Sequence, residues 1–350
     1  MTETSANTAA AIDRSIEASA EPAAAVFDPE TTARLAALDA ASDEHAAALR
    51  PANTIRSYAA DWKAWTTYAA VRQLPELAAS RGTLRGFVAW LWHEVGAAPS
   101  TIDRRLAGVV VTLRREHRIV VNPDDTAAAR ELLKDYVTTA ARKKEAPRGR
   151  GQAEALTLAD LRKISAACPE TLAGLRDRAL VLVAFAVAAR RSEAAGLLVL
   201  DVADDPHGLV VDVRVTKTRP RQVAVPYGSD PLTCPVRAWQ AWKTAAALDA
   251  EPESAAFRRI DRHGRLLGEL SGEAAGAVVT RAAERAKVTL HLTGHSVRAG
   301  LATAARAAGK DRKAIADTTG HVPGSPILDQ YLRTVDRWSP AENALIGIGL

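Results

Sequence analysis

The basic segment KEAPRGRGQAE, residues 144–154, constrains the fold of this chain more than any other stretch. Pro147, Gly149 and Gly151 interrupt helices and strands alike, because proline lacks a backbone donor and glycine favours irregular backbone. Patterns typical of amphipathic helices lie on both sides of this segment. A chain of 350 residues is also too long to fold around one small hydrophobic core. We therefore predict two domains joined by a linker over 144–154, which is either a solvated connector or a strap along a phosphate backbone.

A helical domain is predicted over residues 49–143. The stretch NTIRSYAADWKAWTTYAAV spaces its large apolar side chains as an amphipathic helix does. These side chains are Ile55, Tyr58, Trp62, Trp65 and Tyr68. Further helices are predicted at 84–95, 100–118 and 124–143. Because the aromatic residues follow core spacing, we interpret them as core residues of a bundle rather than as platforms for base stacking.

The second domain is predicted over residues 155–350, with Thr157 as the N-cap of its first helix. The run LVVDVRVTKTRPRQVAVP, 209–226, predicts two strands around a tight basic turn. Further helices are predicted at 174–190, 233–248, 271–287 and 298–309. The chain as a whole is therefore predicted to be mainly α, with a small β-sheet in the C-terminal domain.

The first 48 residues differ from the rest in composition and charge. They are rich in Ala, Glu, Ser and Thr, and we predict a disordered acidic arm with a transient helix around 29–48. Residues 1–49 carry nine acidic and two basic side chains, whereas the whole chain has a net charge of +5, which leaves +12 on residues 50–350. Such a basic body suits a polyanion such as nucleic acid, although a basic surface kept for solubility has the same charge.

Common cofactor signatures are missing from the sequence. There is no phosphate-binding GxxxxGK[ST], no GxGxxG after a strand and no HExxH, so we predict no cofactor and no small-molecule substrate. His291 and His295 could face one another as zinc ligands, but no third ligand accompanies them at a telling spacing. We therefore predict no metal site.

Three features bear on the compartment. Cys168 and Cys234 are far apart and lack metal-ligand spacing, which argues for a reducing compartment. The N-terminus lacks the charged and apolar regions of a secretory signal. The longest apolar run, 179–189, is too short to span a bilayer. We expect a cytoplasmic protein without membrane contact.

Basic side chains recur in four clusters of the second domain. They are Arg190 with Arg191, Lys217 with Arg219 and Arg221, His295 with Arg298, and His321, with Tyr331 ten residues further on. Each has an ordinary explanation alone, since an arginine at a helix C-terminus offsets the dipole and lysines are common in turns. Together they suggest phosphoryl chemistry. Two guanidiniums can hold one phosphate, an imidazole or lysine can transfer protons, and a phenol can attack phosphorus without a metal ion.

The order and spacing of these motifs resemble the catalytic domain of the tyrosine recombinases, the phage-integrase family that includes Cre-like site-specific recombinases. That family has an Arg in an R-x-S-E context, a hairpin Lys, an H-x-x-R pair, a G-H or G-W, and a Tyr about ten residues later. The matching stretches here are RRSE (190–193), TKT (216–218), HSVR (295–298), GH (320–321) and DQYLR (329–333). NTIRSYAADWKAW and PSTIDRRLAGV also resemble the family's core-binding domain, so the resemblance covers about residues 50–340.

The resemblance implies a helical, SAM-like core-binding domain and a catalytic domain that form a C-shaped clamp on DNA. It implies a recombinase that needs neither metal nor ATP and that joins DNA to protein through a 3′-phosphotyrosyl link. Strand exchange would take place between two inverted-repeat sites in a homotetramer, through a Holliday junction, and the protein would be a monomer in solution. Such an enzyme would be encoded by a bacterium, phage or plasmid and would associate with the nucleoid.

Residue roles also follow from the resemblance. Arg190 and Arg298 would bind the scissile phosphate, His321 would hydrogen-bond to it, and Glu193 would orient neighbouring basic groups. Arg191 is the alternative to Arg190, but the R-x-S-E register favours Arg190.

The remaining roles concern proton transfer and the covalent step. His295 would be the general acid/base, Lys217 would protonate the 5′-oxygen, and Tyr331 would be the nucleophile. Either Thr293 or Ser296 could cap the helix that follows His295, and the choice decides whether His295 lies inside its first turn.

Further basic residues are predicted to contact DNA, and two alternative functions remain open. The basic residues proposed to touch DNA are Arg56, Arg104, Arg105, Lys143, Lys144, Arg148, Arg219 and Arg221. The apolar tail at 339–350 would dock on a neighbouring protomer or pack in cis. A type IB topoisomerase would use similar residues, and a DNA-binding protein that has lost its chemistry is the other alternative. The paired domains favour recombination, and the presence of every expected catalytic residue argues against lost activity.

Overall fold

The computed structural model describes residues 27–149, 151, 153–216, 219–322, 324–325, 328–329 and 345. The chain divides into two compact units, the first of which ends at Gly149. Most of the described residues are helical, and two small antiparallel sheets accompany the helices of the second unit. This confirms the predicted fold class of a mainly α chain with a small β component. In the described part, no helix has the length and apolar character that crossing a membrane requires.

The first unit is built from helices throughout its described part. These are α1 (Pro29–Ala48), α2 (Ala52–Val71), α3 (Arg81–His93), α4 (Pro99–Glu116) and α5 (Pro123–Arg142). Helix α3 packs against α5, and α2 packs against α4. Helix α3 begins three residues before the predicted position because Ser80 caps it. The Ser80 hydroxyl accepts from the backbone N–H of Thr83, and the Thr83 hydroxyl accepts from that of Ser80.

The core of the first unit follows the helical periodicity of the sequence. Helix α4 contributes side chains from one face, all fully buried: Ile102, Leu106, Val109 and Leu113. Trp65 of α2 meets Phe87 of α3 edge to face, with ring centroids 5.2 Å apart. Of the five side chains predicted for the core in α2, Trp65 and Tyr68 are buried, whereas Ile55 is 50% exposed. Helix α2 thus presents a narrower apolar face than its sequence pattern suggests.

Helix α1 is a continuous helix of 20 residues, where the sequence predicts only a transient one within a disordered arm. Asp28 starts it, because its carboxylate accepts hydrogen bonds from the backbone N–H groups of Glu30 and Thr31. The side chains described along this helix are mostly exposed. The structure therefore contains the helix predicted around 29–48, and residues 1–26 of the predicted arm lie outside the described residues.

The second unit combines further helices with five short strands in its described part. The helices are α6 (Leu158–Ala167), α7 (Leu172–Ala186), α8 (Arg191–Ala195), α9 (Pro235–Ala245), α10 (Gly272–Arg285), α11 (Ser296–Ala307) and α12 (Arg312–Thr319). The strands are β1 (Val202–Asp205), β2 (Gly208–Val213), β3 (Arg221–Pro226), β4 (Arg258–Ile260) and β5 (Leu266–Glu269). The Thr157 hydroxyl caps α6 as predicted, by accepting from the backbone N–H of Asp160.

Strands β1, β2 and β3 form an antiparallel sheet in that order, and β4 pairs with β5 in a second one. The β2–β3 pair is the predicted hairpin, with Val211 opposite Val223. Its connection is longer than the predicted tight turn, because pairing ends at Val213 opposite Arg221 and leaves 214–220 between the strands. Side chains of β3 alternate between buried and exposed, so one face of the hairpin packs on the core.

Helix α7 passes through the core and ends sooner than its apolar sequence predicts. It stops at Ala186, four residues before the predicted end, because Ala188 adopts a left-handed backbone with φ +48°. The N–H of Ala189 bonds to the carbonyl of Ala184 at 2.8 Å, which closes the helix in the manner of a Schellman motif. The break turns the chain and places Arg190 at the N-cap of the short helix α8.

Candidate active site

The C-terminal end of α7 is the point on which the basic side chains converge. The Val187 carbonyl accepts from Nη2 of Arg221 at 2.9 Å, and the Ala188 carbonyl accepts from Nη1 of Arg298 at 2.9 Å. Carbonyls at a helix C-terminus lack intrahelical partners and carry the negative end of the dipole, so they attract guanidiniums. Both arginines are buried, with 8% exposure for Arg221 and 2% for Arg298.

Glu193 of α8 balances this positive charge. Its Oε2 accepts from the backbone N–H of Arg190 and from Nη2 of Arg221, each at 3.0 Å, and its Oε1 accepts from the Arg190 guanidinium. Burial alone would raise the pKa of Glu193, but the Arg190 backbone and the two guanidiniums outweigh it and hold the pKa below its ordinary value. The carboxylate is therefore ionised at neutral pH and orients Arg190.

Arg298 lies in the first turn of α11 and meets His321, just beyond the end of α12. Its Nη2 is 3.0 Å from Nε2 of His321, and Nδ1 of His321 is 2.7 Å from the Thr319 hydroxyl. A guanidinium can only donate, so Nε2 accepts and the ring proton lies on Nδ1, which donates to Thr319. The Thr319 hydroxyl then donates to the Ile315 carbonyl at 2.7 Å. His321 is thereby held neutral, with its donor directed away from Arg298.

The environment of His321 strongly disfavours its protonated form. Burial, followed by the charges of Arg298, Arg190 and Arg221, lowers its pKa to about 4, and the charge of Glu193 offsets this only in part. Because His321 binds a proton more weakly in the folded state than in the unfolded chain, acid destabilises the folded state.

We expect the protein to lose stability between pH 6.5 and pH 4 because of His321. The unfolded chain binds a proton near the ordinary pKa of 6.5, whereas the folded one does so only near 4, so stability falls as the pH drops through this window. The loss between pH 7 and pH 5 is about 2 kcal/mol. Urea unfolding at both pH values measures it, and the control His321→Asn lacks this component. Parallel pH profiles for parent and variant would contradict the assignment.

His295 occupies the N-cap position of α11, so neither predicted cap residue is correct. The Ser296 hydroxyl accepts from the Thr293 N–H at 2.9 Å, and the Thr293 hydroxyl accepts from the His295 N–H at 3.3 Å, so both brace the turn before the helix. The imidazole remains exposed to solvent. Its pKa lies below the ordinary value because partial burial and then the charges of Arg191, Arg298 and Arg190 disfavour the imidazolium. His295 is therefore a neutral, accessible base at pH 7.

Close packing of α11 fixes where Arg298 points. A Cβ at Gly300 would lie 2.2 Å from the Leu156 carbonyl oxygen and 2.9 Å from the Phe185 ring, so only glycine lets the helix approach this closely. The Leu156 N–H also donates to the Ser296 carbonyl at 3.0 Å. The small residues of the RAGLATAA run thus let α11 pack closely, and this packing fixes the orientation of its first turn.

Arg191, the alternative to Arg190, lies outside this hydrogen-bonded cluster. Its guanidinium is about half exposed, with Nη2 3.8 Å from the Glu273 carboxylate. Arg190 is the residue that reaches Glu193. The structure therefore brings together Arg190, Glu193, His295, Arg298 and His321, whereas Lys217 and Tyr331 lie outside the described residues.

Arg221, one of the predicted DNA contacts, is buried in the structure. It begins β3 and is buried, because its guanidinium is taken up by Glu193 and by the Val187 and Thr318 carbonyls. A charged side chain at a strand end looks like a solvated turn residue in the sequence. The period-2 alternation of RQVAVP places Arg221 on the same face of β3 as the buried Val223 and Val225, and this pattern is the signal in the sequence that it points towards the core.

The other candidate DNA contacts are at least partly accessible to solvent. Arg56, Arg104, Lys143, Lys144 and Arg219 are exposed, and Arg105 and Arg148 are half-buried. Arg104 pairs with the buried carboxylate of Asp61 at 2.6 Å, and Arg219 pairs with Asp317 at 2.9 Å. Arg148 lies over the Trp92 ring, 4.0 Å from its centroid, within the first unit.

The cluster at the end of α7 has the chemistry of an anion site. Three guanidiniums, those of Arg190, Arg221 and Arg298, converge there beside the buried carboxylate of Glu193, and two neutral imidazoles lie next to them. Such fixed donors suit a phosphate diester, and an accessible neutral imidazole can take a proton. Within the described ranges, no group of three His, Cys, Asp or Glu side chains could hold a metal ion.

Comparison with known proteins gives this geometry a family context. Residues 154–336 match the model of the phage integrase family. The chain is 29% identical over 286 residues to an integrase/recombinase xerD homolog of Selenomonas ruminantium, covering 77% of this chain and 78% of that protein. It is 34% identical over 147 residues to the tyrosine recombinase XerD of Corynebacterium glutamicum, covering 42% of this chain and 45% of that one.

Solved structures share the fold at low sequence identity. A lambda integrase (75–356) dimer bound to a COC′ core site matches with a TM-score of 0.55 and 15% identity, over 86% of this chain and 96% of that one. A lambda integrase tetramer bound to a Holliday junction matches with a TM-score of 0.52 and 13% identity, over 86% and 80%. XerH bound to palindromic difH matches with a TM-score of 0.51 and 14% identity, over 76% and 70%.

Proposed function

Since the chain belongs to the phage integrase family and is a site-specific DNA recombinase of the tyrosine type, we propose that it cleaves and rejoins duplex DNA through a covalent link between Tyr331 and a 3′-phosphate. The observation that supports this most is the convergence of Arg190 and Arg298 at the end of α7, with Glu193 orienting Arg190. Both arginines would hold the non-bridging oxygens of the scissile phosphate and stabilise the charge that develops on them.

The proposed cleavage step exchanges one phosphodiester for another. The Tyr331 oxygen attacks phosphorus and its proton passes to a base, for which the neutral, exposed His295 is suited. The bond from phosphorus to the 5′-oxygen breaks, and Lys217 supplies the proton to that oxygen. In rejoining, a 5′-hydroxyl attacks the phosphotyrosine and the proton movements reverse. Because the bond energy is retained in the phosphotyrosine, no ATP is needed.

His321 would hydrogen-bond to the phosphate only after its contact with Arg298 changes. Its Nε2 accepts from Arg298 in the structure, so the ring presents no donor there. A phosphate oxygen that replaces Nε2 as the acceptor for Arg298 would bring a negative charge beside the ring. That charge favours protonation of Nε2, which could then donate to the phosphate.

We propose the domain roles and the assembly from the same family membership. Residues 49–143 would be the core-binding domain, 144–154 the basic linker and 155–350 the catalytic domain, and both domains would contact DNA. The protein would be a monomer in solution and a homotetramer on DNA, where paired inverted-repeat sites exchange strands through a Holliday junction. The match of fold to a lambda integrase tetramer bound to a Holliday junction supports this proposal.

Incubation with two DNA sites tests the proposal. Candidate sites are found by searching the DNA beside the gene for inverted repeats of roughly a dozen base pairs around a short spacer. We expect DNA-linked protein that survives denaturation, followed by recombinant products. Relaxation of supercoils without strand exchange would instead indicate a topoisomerase, and binding without covalent capture would indicate a protein that has lost its chemistry.

Lys217→Ala is expected to slow cleavage by roughly 100-fold while leaving DNA affinity nearly unchanged, since a general acid contributes about that much. A substrate with a bridging 5′-phosphorothiolate should restore the rate, because sulfur leaves without being protonated. Single-turnover cleavage of both substrates measures the effect. Absence of rescue would assign the leaving-group proton to another residue.

A further inference from the structure

Arg221 joins three segments that carry the candidate active site. Its Nη2 donates to the Glu193 carboxylate of α8 at 3.0 Å and to the Val187 carbonyl at the end of α7 at 2.9 Å. Its Nε donates to the Thr318 carbonyl in the last turn of α12 at 2.9 Å. Each of these segments carries or contacts a residue proposed to bind the phosphate, which is Arg190, Arg298 or His321.

The first connection runs through Glu193 to Arg190. Glu193 is 3% exposed and makes its hydrogen bonds to Arg190 and Arg221 with the same carboxylate group. The Glu193–Arg221 pair is almost wholly buried, with side-chain exposures of 1% and 4%. If Arg221 were absent, the carboxylate would face Arg190 alone and could rotate towards it. Arg221 therefore fixes the direction from which Glu193 holds Arg190.

The other two connections lead to Arg298 and His321. The Val187 carbonyl bound by Arg221 precedes the Ala188 carbonyl bound by Arg298, so the two guanidiniums grip adjacent peptides of one turn. The Thr318 carbonyl lies three residues before His321. Between them, Gly320 has φ +67°, and a Cβ there would lie 3.0 Å from Nη1 of Arg221. The turn that carries His321 is thus packed on the Arg221 guanidinium.

We propose that Arg221 is a positioning residue, which sets the mutual geometry of Arg190, Arg298 and His321 without touching DNA. The inference rests on the proposed function, since the geometry it sets is that of the phosphate site. Only a guanidinium can do this, because its planar fork of donors reaches a carboxylate and two carbonyls that lie in different directions. A lysine keeps the charge but concentrates its donors at one point.

Arg221→Lys is the variant that tests the role, and Arg214→Lys is its matched control. Arg214 follows strand β2 of the same hairpin and also grips a buried carboxylate, with Nε 2.5 Å and Nη2 3.0 Å from the oxygens of Asp201. The control therefore makes the same chemical change at a comparable buried carboxylate. Single-turnover cleavage at saturating protein is expected to fall at least about tenfold in Arg221→Lys, with the Kd for DNA within about threefold of the parent. The Arg214→Lys control should cleave at the parental rate.

A double-mutant cycle with Glu193→Gln separates positioning from general stabilisation. If Arg221 acts through Glu193, the cleavage defects of Arg221→Lys and Glu193→Gln are not additive, and the double variant is scarcely slower than the worse single one. Parental cleavage by folded Arg221→Lys would overturn the proposal, and additive defects would overturn the connection through Glu193 to Arg190. A salt-sensitive loss of DNA affinity at unchanged cleavage would overturn it as well, in favour of direct DNA contact.

A readout that does not depend on activity keeps this inference distinct from the proposed function. Histidine ring resonances of the DNA-free protein report the geometry around His321. We expect them to shift for His321 in Arg221→Lys and to remain in place in Arg214→Lys. If the parent never captures DNA covalently, the proposed function fails, but the resonances still decide whether Arg221 holds the site. An unchanged His321 resonance in Arg221→Lys would overturn the positioning role.

Discussion

Tyr331→Phe is expected to abolish covalent capture of DNA, with a loss of cleavage on the order of 10⁴-fold or more. The substitution removes one oxygen, which is the proposed nucleophile, and leaves the aromatic ring. DNA binding should persist within about threefold, because phosphate contacts supply most of the affinity. Denaturing electrophoresis of protein mixed with labelled DNA measures the covalent product, and a mobility shift measures binding.

Among the other tyrosines, the control for this experiment should be one whose ring is exposed to solvent. Tyr68 is buried in the core of the first unit, and Tyr136 stacks on Trp92 there with centroids 5.5 Å apart. Tyr227, in the second unit, is 43% exposed, and its hydroxyl lies 3.4 Å from Nε2 of Gln240. Tyr227→Phe removes the same oxygen from an exposed ring and should capture DNA like the parent. Covalent capture by Tyr331→Phe would refute the assignment of the nucleophile.

Arg298→Lys is expected to reduce cleavage by about 10²–10³-fold, the usual cost of removing one preorganised donor to a developing oxyanion. A lysine amine occupies one point, whereas the guanidinium spans the Ala188 carbonyl and His321. The variant should also unfold more easily, by about 1–3 kcal/mol, because a buried acceptor loses its donor. Single-turnover cleavage and urea unfolding measure the two effects.

The matched control for Arg298→Lys is Arg306→Lys, two turns further along the same helix. Arg306 lies in the last turn of α11, so its replacement tests whether any Arg-to-Lys change in this helix disturbs cleavage. We expect cleavage at the parental rate. Equal cleavage by Arg298→Lys and the parent would mean that a point charge suffices and that the guanidinium fork has no role in the chemistry.

Much of the fold could be predicted from the sequence, because long amphipathic and apolar runs indicate helices. Helices α4 and α5 begin within one residue of their predicted positions, and α7 is the predicted buried helix. Short elements were not predicted: β4 has three residues and α8 has five, too few for periodicity to show. Helix α12 was missed although Asp311 caps it, since its eight residues carry few apolar side chains.

The candidate site was predicted residue by residue, but its internal bonding was not. The resemblance to the tyrosine recombinases pointed to Arg190, Glu193 and Arg298, which the structure places at one helix end. Ala188 ends α7 in a backbone conformation that normally favours glycine, so the break could not be predicted from the residue type. Arg221 was predicted to contact DNA because it is a basic residue beside the hairpin turn, although its alternation with Val223 and Val225 places it on the core-facing side of β3. Its role depends on long-range contacts, which come only from the tertiary structure.

The ion pair between Arg219 and Asp317 bears on how DNA binding would depend on salt. Both side chains are about half exposed, and Asp317 is also 3.1 Å from the Lys313 amine. When a cation with no carboxylate partner binds a phosphate, counterions leave the DNA and the affinity becomes salt-dependent. If Arg219 leaves Asp317 for a phosphate, the carboxylate it abandons attracts a cation from solution, which cancels part of that release. The number of basic side chains at the interface would then exceed the number of ions released on binding.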